Sequence, residues 1–146
     1  MIYLSAMDSL RLITATAADL DVYVGYTTQD DNLTIGRKLH TILTATTTVL
    51  LPSPIRLSKV DVVSVRNVDT VDSVVITLEL YNGTTSYKLY KALLGAGESF
   101  QYDVEGFNLH DSNGAAKRPA ISGYSITVGT VAPSNPQTND LWVDTN

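Results

Sequence analysis

Residues 73–94 read SVVITLELYNGTTSYKLYKALL, two runs of alternating apolar and polar residues joined at Asn82-Gly83. An Asn-Gly pair between two alternating runs is the strongest short-range hairpin signal, because both residues tolerate the positive φ of a tight turn. On the first run Ile76, Leu78 and Leu80 fall on one side, with Thr77, Glu79 and Tyr81 on the other. A period of two means a strand with one buried and one wet face. An isolated hairpin is marginal in water, so the rest of the chain must cover that apolar face.

The rest of the chain supplies that cover. Leu20, Val22 and Val24 alternate with Asp19, Asp21 and Tyr23. The polar, glycine-bearing stretch 28–37 (TQDDNLTIGR) reads as a loop. Residues 40–52 read as one β-branched strand stopped at Pro52 and Pro54. Residues 56–69 (RLSKVDVVSVRNVD) place Val63 and Val65 on one face and Val60 and Val62 on the other, as a central strand would. Phe100, Tyr102 and Val104 alternate inward, 106–114 gives a short strand ending in a turn, and 124–128 gives a last strand. KLYKALLGAG has room for one helical turn at most before its glycines. Leu78, Leu80, Val63, Val65, Leu89 and Tyr102 are the expected core.

Turn signals at short, regular intervals predict an all-β fold: a single antiparallel β-sandwich, jelly-roll-like, over residues 9–128. An N-terminal arm, 1–8, and an extended C-terminal arm, 129–146, flank it. Pro133 and Pro136 make the second arm a poor central strand.

The chemistry-bearing residues are sparse. Among 146 residues there is no cysteine, which excludes disulfides, thiolate metal sites and cysteine nucleophiles. The formal net charge is −5, with no run of Lys or Arg, which argues against a nucleic-acid surface. The apolar runs are far too short to span a membrane, and MIYLSAMDSLRL lacks the features of a signal peptide. The only histidines, His40 and His110, lie apart in predicted strands, and no nucleophile elbow, HExxH, calcium loop or P-loop occurs. GAGES (95–99) reads as a tight turn, because a phosphate cradle needs a helix N-terminus behind it. The acidic QDD at 29–31 reads as a solvated loop. No enzyme, no cofactor and no metal site are expected.

Several stretches resemble a group of bacteriophage virion proteins: 9–26 (SLRLITATAADLDVYVGY), 60–69 (VDVVSVRNVD) and 74–117, which contains the Asn82-Gly83 turn, the Leu-x-x-Gly-Glu-Ser turn and a closing Asn-Gly near Lys117. The end, APSNPQTNDLWVDT, is similar to a segment common in tail-fibre and other virion proteins, with Asn139 where glycine is usual. The resemblance implies a non-enzymatic structural role in the virion, made in the host cytoplasm: a capsid decoration (cement) protein that binds the major capsid protein or another virion protein, or alternatively a tail, neck-fibre or tail-tip component. The lack of shaft repeats after Trp142 favours the capsid. A carbohydrate-binding alternative would use Tyr81, Tyr87, Tyr90, Tyr102 and Trp142 as a stacking platform, although tyrosines at alternating strand positions usually pack against neighbouring strands.

Two sets of residues are expected at interfaces. Val60, Val62 and Val75 form a surplus apolar sheet face that a homotrimer would cover. Leu141, Trp142 and Val143 stand together in the polar C-terminal arm. Trp142 either folds back under its own sandwich or, as favoured here, anchors the arm on a neighbouring subunit or on the capsid, since large aromatics dominate interface energies.

Overall fold

A computed structural model describes residues 1–29 and 33–117, together with the backbone of two strands at 126–129 and 141–144. The chain forms β1 (Ile2–Leu4), β2 (Ser9–Thr14), β3 (Leu20–Thr28), β4 (Thr34–Ile42), β5 (Thr47–Leu51), β6 (Ser58–Asn67), β7 (Val74–Tyr81), β8 (Ser86–Leu94), β9 (Ser99–Asp103), β10 (Gly106–His110), β11 (Ile126–Gly129) and β12 (Leu141–Asp144). The described residues contain no helix, so the KLYKALL stretch is strand throughout.

One sheet has the order β10-β9-β6-β3-β4, with β1 also paired to β6; the other has the order β5-β2-β7-β8. All pairs in both sheets are antiparallel. The chain is the β-sandwich that its alternation predicts. The pairs β3–β6 and β2–β7 are nested one inside the other, as in a wrapped double-sheet fold. Between the sheets lie Leu10, Leu12, Leu20, Val22, Val24, Leu50, Val60, Val63, Val65, Ile76, Leu78, Leu94, Phe100 and Tyr102. Leu80 and Leu89 are partly buried and pack against this core. Val104 stays outside it, 86% exposed at the turn after β9.

The N-terminal segment is not a free arm. Ile2 and Leu4 are buried, and β1 pairs with the first residues of β6, leaving the rest of that edge to β9. The sequence IYL offers only three residues of alternation, too few to distinguish a strand from an arm.

Val60 is likewise not on an outer face. Gly25 faces Val62 and Tyr26 faces Val60, so Asp61 is the extra residue of a β-bulge. The bulge shifts the alternation by one, and Val60, 1% exposed, points inward with Val63 and Val65. Asp61 is held on the outside by Lys59 at 2.8 Å and by the Thr27 hydroxyl at 2.6 Å. Val62 and Val75 remain half-buried on outer faces. Leu50 and Leu89 are extra residues of the same kind in the β5 and β8 pairings.

Two other segments differ from the sequence reading. Half of the 28–37 stretch is strand, not loop, because β3 runs to Thr28 and β4 starts at Thr34. Gly36 belongs there because the Tyr26 ring, its cross-strand partner, lies where a Cβ would stand. The 40–52 stretch is two strands in two sheets, turned at 43–46. The buried Thr14 hydroxyl fixes that turn, donating to the Thr44 carbonyl at 2.9 Å and accepting from the Thr46 N–H at 2.9 Å.

The Asn82-Gly83 hairpin forms as expected, through a loop of residues 82–85. Gly83 takes φ +88°, and the Asn82 side chain accepts the N–H groups of Thr84 and Thr85. At the C-terminal end β11 and β12 pair in parallel with each other, Trp142 opposite Thr127. The expected arm thus contains a strand of its own. No helix among the described residues is long and apolar enough to cross a membrane.

Candidate interaction surface

Three places stand out on the sandwich: a polar latch at one end, an apolar ridge along one edge, and a groove beside that ridge.

The latch is built around Asn67, the last residue of β6, which is fully buried. A buried amide must be satisfied, and this one is. Its Nδ2 donates to the carbonyls of Asp72 (2.8 Å), Gly95 (3.1 Å) and Leu94 (3.3 Å). Its Oδ1 accepts the Asp69 N–H at 3.1 Å, and its own N–H donates to the Glu98 carbonyl at 2.9 Å. Glu98 in turn accepts from the Gly95 N–H at 2.9 Å and from Lys117 Nζ at 2.7 and 2.8 Å. Asp111 caps the neighbouring turn by accepting the N–H groups of Asn113 and Ala115. Three segments distant in sequence, 67–72, 94–98 and the stretch at Lys117, are tied together at this end of the sandwich.

The Lys117 ammonium and the Gly95 N–H hold the Glu98 carboxyl below the ordinary glutamate range. A carboxylate with a lowered folded-state pKa adds stability above its unfolded value and loses it as pH falls through the folded one. The latch is therefore expected to weaken as pH drops below about 4.3, the ordinary glutamate value. Urea midpoints at pH 7 and in steps down to pH 3 should fall less steeply for Glu98→Gln than for the parent chain. Equal slopes would mean that Glu98 gains nothing from its partners.

The ridge lies on β4, the edge strand beside β3. Leu33, Ile35, Leu39 and Leu43 occur at alternating positions and are 75%, 84%, 71% and 61% exposed. Tyr23, opposite Leu39 on β3, is also exposed and extends the apolar strip. Scattered surface apolar residues need no explanation, but a row of them along an unpaired strand edge marks an association site. The charges between them, Arg37 and Lys38, are both positive. The sequence reading missed this ridge because it took the start of β4 for a loop. The alternation of Leu33, Ile35, Leu39 and Leu43 was the available signal.

On the inner side of β4, a half-open groove of about 510 Å³ is lined by Leu4, Tyr26, Lys38, Leu51, Pro54 and Ile55 among others. It is mostly apolar, with Lys38 at its wall. His40 Nε2 lies 3.0 Å from the Leu50 carbonyl, which joins β4 to β5; this histidine ties the two sheets. His110 closes β10 through a single bridge to Ala116. Among the described residues no three His, Asp or Glu side chains converge closely enough to hold a metal ion. Asp30 and Asp31 lie outside the described residues.

The tyrosines do not share a platform. Tyr90 packs on both Phe100 and Phe107, at 5.0 and 4.9 Å between ring centres, in a three-ring cluster, and Tyr102 is buried against Phe107. The Arg11 guanidinium covers the Tyr81 ring at 3.4 Å, and of these four tyrosines only Tyr87 stands exposed. The side chains of Leu141, Trp142 and Val143 lie outside the described residues.

The chain matches no family model, no curated protein and no solved structure.

Proposed function

We propose that this chain is a non-catalytic structural protein of a bacteriophage virion that decorates the head shell, with the major capsid protein as its partner. The observation that supports this reading is the latch. Asn67, Glu98 and Lys117 belong to the motifs through which the chain resembles virion proteins, and with Gly95 they meet in one hydrogen-bonded cluster. A motif spread over so many positions acquires a single physical purpose when its members touch. A rigid sandwich with few ordering costs suits a protein that must dock at many repeated sites, where weak contacts multiply into avidity. The sugar-binding alternative has less support, because Tyr81, Tyr90 and Tyr102 are already engaged by other side chains.

In this reading the C-terminal segment, with Leu141, Trp142 and Val143, makes the contact with the particle. Purified protein is expected to bind particles that lack it, in copies spread over the whole shell in an electron cryo-microscopy map. A chain ending at residue 129 should keep the melting behaviour of the sandwich and lose that binding. Density confined to the tail vertex would sink the capsid assignment, and full occupancy by the shortened chain would remove the segment from the interface.

A further inference from the structure

We infer that β4 pairs edge to edge with β4 of a second copy, joining two sandwiches through one continuous sheet. Among the described residues the edge strands of the two sandwich sheets are β4, β10, β5, β8 and the three-residue β1. β10 and β5 have five residues each. β8 has nine, but it is interrupted by the bulge at Leu89 and guarded by Lys88 and Lys91. β4 has nine residues and pairs with β3 without a register shift, so its free edge is straight. It is the edge best able to template another strand.

The sequence of β4 also selects the register. A two-fold axis normal to the sheet pairs the strand with itself in antiparallel fashion and keeps outer side chains on the outer face. Centring the axis at Arg37 or at Lys38 sets two like charges directly opposite, which is destabilising. Centring it at His40 presses Arg37 onto Leu43 and Lys38 onto the buried Ile42. Centring it at Leu39 sets Leu39 on Leu39, Ile35 on Leu43, Arg37 on Thr41 and Lys38 on His40. That register covers three of the four exposed ridge residues with apolar partners and sets no two Lys or Arg residues opposite each other. It replaces Val60, Val62 and Val75 as the surface for self-association, and its symmetry is two-fold. A single strand pairing is small for a specific interface, below about 1,200 Å², so the dimer is expected to be of micromolar rather than nanomolar strength.

The absence of cysteine allows a direct test. Opposed residues in an antiparallel pair lie about 4.5–5.5 Å apart at Cα, within disulfide reach. Leu39→Cys is therefore expected to cross-link into a covalent dimer under mild oxidation. Ile35→Cys alone should stay monomeric, and Ile35→Cys combined with Leu43→Cys should cross-link again. All three positions are exposed, so folding should be retained. Sedimentation of the parent chain should show a mass rising from monomer towards dimer with concentration, and Leu39→Lys should remain a monomer. A Leu39→Cys chain that resists cross-linking, an Ile35→Cys chain that cross-links as fast, or a parent chain that is monomeric throughout would each overturn the inference. It stands apart from the virion assignment, since a solution dimer that never binds particles would count only against the latter.

Discussion

Replacing Asn67 with alanine is expected to cost about 3 kcal/mol, because one buried carbonyl, two part-buried carbonyls and an N–H lose their partner and a buried orphan costs about 1–3 kcal/mol. The carbonyls are those of Asp72, Leu94 and Gly95, and the N–H is that of Asp69. Asn67→Asp is the sharper variant, having nearly the same shape. Its carboxylate would face those carbonyls and offer them no proton. Its pKa should rise in the folded state above the ordinary aspartate value. Destabilisation is then greatest at neutral pH and relieved as pH falls towards the raised value, where the protonated acid can donate. Urea unfolding at pH 7 and pH 5 would resolve this. An Asn67→Asp chain as stable as the parent at pH 7 would mean that the amide protons do not hold this end together.

Phe100→Ala should be as damaging or more so, about 3–5 kcal/mol, the usual range for removing a buried phenylalanine. Phe100 is fully buried, and its ring lies 5.0 Å from Tyr90 of the opposite sheet and 6.0 Å from Phe107. It closes the side of the sandwich where β8 meets β9 and β10. Tyr90→Ala should cost less, since that ring is only partly buried. Thermal melts of the two variants decide the order. If Tyr90→Ala proved the worse, the stack would be held from the β8 side and the core placement of Phe100 would be wrong.

The period-two runs carried most of the fold. Leu20, Val22 and Val24, and Ile76 and Leu78, face inward as their alternation implies, and the Asn82-Gly83 turn is where its chemistry puts it. The misplaced face of Val60 has a single physical cause. Alternation fixes facing only while the register is unbroken, and one extra residue reverses it. Asp61 is such a residue, and it moved Val60 from the presumed outer face into the core. Gly36 misled in another way: its reason is the Tyr26 ring on the next strand, which no local pattern reveals. The turn at 43–46 contains neither Gly nor Pro, and is held by a threonine from a distant strand. The latch was legible as a set of motif residues but not as a cluster, because hydrogen bonds across Asn67, Gly95 and Lys117 depend on tertiary approach.

The nested pairing has a kinetic side. β7–β8 and β9–β10 are local hairpins that need only short loops to close. The pairs β3–β6 and β2–β7 join segments separated by whole strands, and β1 has no partner until β6 is made. Loop-closure entropy must be spent before such contacts give anything back, which places all-β domains of this kind in the millisecond-to-second range of refolding. The β3–β4 pair also joins neighbouring strands, so the apolar edge of β4 can form before the pairs that close the sandwich. A chain that closes this hairpin first would hold its most apolar edge open until the core is made, and the order of synthesis, β4 before β6, would prolong that exposure on the ribosome.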